Sequence, residues 1–266
     1  MNPQTLLREG KPGDALAAVQ DQVRKDAANP KHRILLFQLL CVMGEWKRAL
    51  NQLNVVGELD AAALPMVQTY REAIQCEALR GEIFRAAHAP LIFGQPPAWL
   101  ALLVEALRHD AAADHARAAA MRAQAFEAAP AGAGSIDGQR FAWLADSDGR
   151  LGPVLEAIIN GRYFWVPMQH IRRIAFDPPS DLRDLVWTPA SFTLANGAET
   201  VGLVPTRYVD TLAHGDDALL LARRTEWRED GHGLGQRMLV TDAAEYPLMD
   251  VRVIEFDADE DDDAHG

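Results

Sequence analysis

The chain has 266 residues, of which 48% are hydrophobic, and its formal net charge is −12 at pH 7. This length and hydrophobic content suffice for two modest domains with buried cores and exclude global disorder. Six acidic residues follow Phe256, which leaves −12 + 6 = −6 for the rest of the chain. A mildly acidic body is unsuited to nucleic acid or an anionic membrane, so neither is expected as a partner.

Residues 1–132 are predicted to form helical hairpins of the tetratricopeptide kind. Residues 34–53 have the pattern of two helices interrupted at Gly44, and Gly10 precedes a similar pattern. Gly10 and Gly44 lie 34 positions apart, as do Ala15 and Ala49, which is the tetratricopeptide period. Glycine permits the turn between two helices, and alanine allows the helices to cross closely.

The repeat is degenerate, because residues 55–84 have a helical period but lack the small-residue pattern of the repeat. A third unit fits near Asp114, where His115, Ala118 and Ala125 occupy the expected positions. A plain helical bundle without a groove is the alternative. If there is a groove, repeat geometry predicts that the first helix of the second hairpin lines it and binds a partner. The predicted partner-binding residues are Lys31, Ile34, Gln38, Cys41 and Val42.

The composition changes between Pro130 and Ile136, so residues 133–256 are predicted to be a second domain. Asn196-Gly197 is a strong hairpin signal, and mainly antiparallel strands with a covering helix predict an α+β domain. Residues 257–266 are predicted to be a disordered acidic tail. The predicted helix is 151–159, and the predicted strands are 162–166, 184–194, 199–204, 219–229, 236–240 and 250–256.

No segment predicts catalysis, a metal site or a cofactor. The glycines at 231, 233 and 235 precede a strand rather than a helix, which favours a hairpin turn over a phosphate loop. Residues 146–149 favour a helix-initiating turn over a calcium loop, because a distal glutamate is absent at the required spacing. Both cysteines are expected to be buried thiols. Aromatic residues on the predicted strands indicate a sheet core, with an exposed anchor patch as the alternative: Tyr163, Phe164, Trp165, Trp187, Phe192 and Trp227.

Several long blocks resemble one protein family. They include INGRYFWVPMQHIRRI at 159–174, DLRDLVWTPASFTLANG at 181–197 and LGQRMLVTDAAEYPLMDVR at 234–252, together with residues 33–74 and 225–229. These blocks are similar to the ImpE, TagJ or SciE proteins, which are accessory components of bacterial type VI secretion. The resemblance extends from about residue 6 to about residue 256.

This resemblance implies a non-enzymatic adaptor of the contractile sheath. The implied partner is a helical segment of the small sheath subunit (TssB or VipA type), and the ClpV ATPase that recycles contracted sheath is a further possible partner. The absence of a signal peptide or an apolar span predicts a cytoplasmic location. Two alternatives are a small enzyme with a site near His170, Arg172 and Asp184, and a purely structural scaffold.

Overall fold

A computed structural model describes residues 2–214 and 216–258. The predicted acidic tail therefore lies outside the described residues from position 259 onward. Helices form first along the chain, and proline at the first position of several helices suits a site where no backbone N–H is required. The helices are α1 (Pro3–Arg8), α2 (Pro12–Lys25), α3 (Pro30–Val42), α4 (Trp46–Leu59), α5 (Leu64–Phe84), α6 (Leu100–Ala111), α7 (His115–Ala128) and α8 (Asp217–Leu220).

Strands dominate the chain after α7, which confirms the predicted order of helices followed by a mainly antiparallel α+β part. The strands are β1 (Leu91–Ile92), β2 (Gly134–Ile136), β3 (Gln139–Phe141), β4 (Leu144–Asp146), β5 (Val154–Ile159), β6 (Arg162–Pro167), β7 (Ile171–Phe176), β8 (Trp187–Leu194), β9 (Glu199–Pro205), β10 (Thr225–Trp227), β11 (Gly233–Gly235), β12 (Met238–Thr241), β13 (Glu245–Pro247) and β14 (Val253–Phe256).

Within the described residues, the main sheet has nine strands in the order β1-β6-β5-β9-β8-β7-β14-β2-β3. Its neighbouring strands are antiparallel except for β1 and β6, which are parallel. The β8–β9 hairpin turns at Asn196-Gly197, as predicted, and Gly197 has a φ of +79°. The same part of the chain contains a small sheet of order β13-β12-β4 and the hairpin β10–β11.

Two predicted elements after residue 150 are wrong. The predicted helix at 151–159 is strand β5, whose six residues are all buried. The turn at 146–149 therefore leads into a strand and initiates no helix. The predicted strand at 219–229 is divided between α8 and β10.

The strand aromatics form a sheet core at four of the six positions. Tyr163, Trp165, Trp187 and Phe192 are buried, whereas Trp227 is 45% exposed. The turn predicted at the glycine-rich run lies between β10 and β11, and Gly231 within it has a φ of +80°.

The sheet has a hydrophobic core on each face, and alternate residues of β5 show how they are divided. Val154 and Ile158 join a core with the helices, while Leu155, Ala157 and Ile159 join a core with the later strands. The helices therefore cover one face of the sheet, and both faces of β5 are buried. Because the two parts share the first core, their division into separate domains near residue 132 stays a prediction.

Candidate partner-binding surfaces

The repeat predicted from the sequence is also a repeat of backbone geometry. The Gly44 N–H donates to the carbonyl of Cys41 at 3.0 Å, and 34 positions earlier the Gly10 N–H donates to the carbonyl of Leu7 at 3.0 Å. Both glycines have positive φ, +78° at Gly10 and +72° at Gly44. Each turn therefore ends its helix with the left-handed residue that glycine adopts without a steric penalty.

The structure places the five predicted partner-binding residues of α3 in different environments. Lys31 is exposed and Ile34 is half-buried, at the first turns of the helix. Gln38 is 8% exposed, whereas Cys41 and Val42 have no exposed surface. The last turns of α3 therefore lie inside the protein, and only the first part of the predicted surface is accessible.

A side chain from the sheet part occupies the end of α3. The buried guanidinium of Arg207 donates to the carbonyls of Val42 at 2.8 Å, Leu220 at 2.5 Å and Cys41 at 3.4 Å. Burial lowers the pKa of Arg207 to about 10, because its partners there are neutral carbonyls. Val42 ends α3 and Leu220 ends α8, and their carbonyls are ones that a helix cannot pair internally at its end, whereas the Cys41 carbonyl also accepts the Gly44 N–H.

The same arrangement recurs one repeat earlier. Arg223 donates to the carbonyls of Leu7 at 2.5 Å and Arg8 at 3.3 Å, at the end of α1. Leu7 and Arg8 are 34 positions before the two α3 residues that Arg207 contacts. Two arginines of the second half therefore cap equivalent positions in successive repeats.

Aromatic packing also covers the repeat helices. Trp187 of β8 is fully buried between Trp46 and Tyr70, with ring centroids 5.8 Å and 5.7 Å away. Its indole N–H donates to the Glu77 carboxylate at 3.0 Å. The sheet of this chain therefore packs against α4 and α5 through Trp187.

A buried ion network joins α5 to the strands, and no sequence pattern predicted it. Arg80 donates to the Glu156 carboxylate at 2.6 and 3.0 Å, and Arg237 bridges the carboxylates of Glu156 and Asp146. Burial alone would raise the pKa of Glu156, but the two guanidinium groups outweigh burial and lower it to about 2. Burial prevails at Asp146 and raises its pKa to about 6 despite Arg237. These side chains are shielded from solvent, and the network links helix α5 to strands β4 and β5 inside the protein.

The residues considered for an enzymatic site do not form one cluster. His170 contacts the carbonyl of Phe93 through Nδ1 at 2.9 Å, and the Asp184 carboxylate accepts the backbone N–H of Asp181 at 2.9 Å. Arg172 is exposed and lines a cleft that neither His170 nor Asp184 lines. Over residues 2–214 and 216–258, no hydrogen bond or ion pair joins any two of these three predicted residues. The same ranges hold no group of three His, Cys, Asp or Glu residues suited to a metal ion.

An open cleft of about 350 Å³ lies between α5 and the sheet. We call it the α5–sheet cleft. Its floor is partly apolar, and Val201 beside it is 69% exposed, which is unusual for a branched aliphatic side chain. Its lining residues are Thr69, Glu72, Ile158, Asn160, Gly161, Asp177, Pro189, Ala190, Ser191, Val201, Gly202 and Leu203.

None of the helices in the described part of the chain combines the length and apolar character needed to cross a bilayer.

Comparison with known proteins establishes the family. The family model described as ImpE protein matches residues 138–255. The type VI secretion system accessory component TagJ of Pseudomonas aeruginosa is 57% identical over 257 residues, covering 97% of this chain and 92% of that protein. The crystal structure of protein VPA1032 from Vibrio parahaemolyticus has the same fold, with a TM-score of 0.89, 23% identity and coverage of 97% and 98% of the two chains. The resemblance seen in the sequence is thus confirmed, and the chain belongs to the ImpE family, together with TagJ of P. aeruginosa.

Proposed function

We propose that this chain is a cytoplasmic, non-enzymatic adaptor of a type VI secretion system. Its task is to bind a helical segment of the small contractile-sheath subunit (TssB or VipA type), with a link to ClpV-dependent recycling of the sheath. The observation that carries the proposal is the 57% identity, over 97% of the chain, to a protein named as a type VI secretion accessory component. The buried ion network supports the non-enzymatic part of the proposal, because the charged groups of Arg80, Glu156, Arg237 and Asp146 pair with each other inside the protein.

The α5–sheet cleft is the surface that we assign to the partner helix. Val201, which is 69% exposed, supplies an apolar contact beside the buried Ile158 and Leu203. A helix that enters an apolar groove inserts side chains at positions i, i+3, i+4 and i+7. Glu72 and Asp177 lie at the same cleft, so an amphipathic helix with basic residues beside its apolar face fits its charge. The α3 surface, now limited to Lys31 and Ile34 by burial, stays a competing prediction.

A peptide titration tests both the function and the surface. A fluorescent peptide of the N-terminal helix of the small sheath subunit is titrated with the full chain and with two variants, Val201→Asp and Ile34→Asp. We expect the wild-type chain to bind. Val201→Asp should weaken binding at least tenfold, since a charge at an apolar contact costs about 1.4 kcal/mol or more, whereas Ile34→Asp should leave binding unchanged.

Each of the two variants is the control for the other. Loss of binding with Ile34→Asp alone would place the partner on α3 and overturn the cleft assignment. No binding of the wild-type chain at high micromolar peptide would contradict the adaptor function and favour a structural scaffold. Capture of ClpV with and without the small sheath subunit then separates a direct contact from a bridged one.

A further inference from the structure

A row of polar side chains crosses the main sheet from β8 to β3. Strand pairing aligns Thr193 of β8, Arg173 of β7, Glu255 of β14, Ser135 of β2 and Arg140 of β3. Residues paired in this way project from the same face of a sheet. They line a cleft of about 470 Å³, which we call the arginine cleft. Its other lining residues are Arg172, Phe256, Asp257 and Ala258.

The described chain reaches position 258 inside this cleft. The Asp257 carboxylate accepts two hydrogen bonds from Arg140, at 2.8 and 2.6 Å, in the forked geometry that suits a guanidinium. The bond from Arg140 holds the pKa of Asp257 below its usual range, and Arg172 lowers it further. The first acidic residue after β14 is therefore already bound to the cleft.

The charge of the cleft is opposite to that of the protein. Three arginines against Glu255 and Asp257 give +3 − 2 = +1, within a chain of net charge −12. Arg172 is exposed, and its guanidinium has no hydrogen-bond partner among residues 2–214 and 216–258. A second cleft of about 310 Å³ shares Arg172 and Ala258, so Arg172 stands between the two clefts and is open to both.

The next part of the sequence carries the complementary charge. Positions 259–263 are Asp-Glu-Asp-Asp-Asp, and five residues can extend over at most about 17 Å. Four steps between neighbouring strands, from Arg140 back to Thr193, span about 19 Å. The acidic segment is therefore long enough to pass most of the row.

We propose that residues 259–263 bind back onto the arginine cleft of the same chain, with Arg172 as their main contact and Arg173, which pairs with Glu255 at 3.1 Å, beside it. The segment covers a positive surface that would otherwise attract acidic segments of other proteins. Its tether provides an effective concentration in the millimolar range, so weak exposed ion pairs are enough to hold it. Salt at 0.5 M shortens the screening length to a few ångströms and should release it.

Paramagnetic broadening in the full chain tests this contact. A spin label is attached at Ala264→Cys; Cys41 and Cys76 are buried, and burial raises the pKa of both thiols, so the new cysteine reacts first. At low salt the side-chain N–H signals of Arg172 and Arg173 should lose at least half of their intensity. The loss should disappear in 0.5 M NaCl. The signal of Arg117 on α7 serves as the control and should not change.

A competition experiment measures how fully the chain's own acidic segment occupies the arginine cleft. A chain that ends at Ala258 should bind a peptide of residues 257–266, and the full chain should bind that peptide at least tenfold more weakly. Arg172→Gln should weaken binding to the shortened chain at least threefold, whereas Arg117→Gln, the matched control, should not. Equal binding by the full and shortened chains, or no binding by either, would overturn the proposal.

A mixture of isotope-labelled chain and separate spin-labelled chain identifies the occupant. Broadening that appears only in this mixture would mean that the segment of a second copy occupies the cleft, which also contradicts the proposal. These measurements use no sheath peptide, so their outcome is independent of the proposed adaptor function.

Discussion

Replacement of Glu156 by glutamine tests whether the buried ion network holds the helices onto the sheet. Glu156 has no exposed surface, and its carboxylate accepts hydrogen bonds from Arg80, Arg237 and Tyr163. Glutamine keeps the size of the side chain and creates no cavity. It removes the negative charge, however, and its amide N–H₂ group cannot accept the bonds that a carboxylate oxygen accepts.

The pKa of Glu156 gives the size of the expected effect. Its pKa is about 2 in the folded chain, against 4.5 as the ordinary value. At about 1.4 kcal/mol for each pH unit, the folded environment favours the charged form by roughly 3 kcal/mol. This value is similar to the roughly 3–5 kcal/mol that removal of one partner of a buried ion pair costs. We therefore expect Glu156→Gln to lower the free energy of unfolding by about 3 kcal/mol at pH 7.

Urea denaturation followed by tryptophan fluorescence measures the change, because Trp165 and Trp187 are both fully buried. The pKa of Glu156 is depressed on folding, so its stabilisation is present above pH 4.5 and declines as the pH falls towards 2. The difference between wild type and variant should therefore shrink to about half by pH 3. Glu255→Gln, in an exposed pair with Arg173, is the control and should cost less than about 0.5 kcal/mol. Equal costs for the two variants would refute the reasoning.

Three further comparisons use the same denaturation assay. Asp146→Asn should cost less than about 1.5 kcal/mol. Burial raises the pKa of this carboxyl from 3.8 to about 6, so its ionisation in the folded chain removes stability as the pH rises from 3.8 to 6; a larger loss at pH 7 than at pH 5 would contradict this. Gly44→Ala should cost at least about 1 kcal/mol, since the residue has positive φ and a Cβ there would lie 2.7 Å from a neighbouring leucine, while Gly13→Ala in α2 meets open space and should not destabilise. The same loss of stability for both variants would refute the role of positive φ and close packing at Gly44. Arg207→Met should cost about 2 kcal/mol or more, because it removes the hydrogen-bond donor of the Val42 and Leu220 carbonyls, and Arg223→Met, nearer the surface, should cost less than about 1 kcal/mol. Equal losses would show that burial of the arginine does not determine how much the cap stabilises the chain.

Local patterns predicted the parts of the fold that depend on local chemistry. Gly10 and Gly44 marked two turns because the left-handed conformation at a helix end strongly favours glycine. Asn196-Gly197 marked the β8–β9 hairpin for the same kind of reason. In each case the residue and its backbone conformation are neighbours in sequence, so the sequence contained the relevant information.

Strand β5 shows where local patterns were insufficient. Its residues are buried on both faces of the sheet, so they form a continuous apolar run rather than an alternating one. Such a run does not distinguish a strand from a short helix. Glu156 is the charged residue within this run. Its partner Arg80 is 76 positions away, and only the tertiary structure brings the two together.

The predicted α3 surface illustrates a related difficulty with repeat signatures. The 34-residue period specifies how the helices stack, but it does not specify what covers their inner face. In this chain the cover includes Arg207 and Arg223, which reach equivalent carbonyls in successive repeats. The two arginines therefore bind the repeat helices at positions that recur every 34 residues. The helical part thus packs against the second half of its own chain. The surfaces that stay open in this chain include the α5–sheet cleft at the boundary between the two parts.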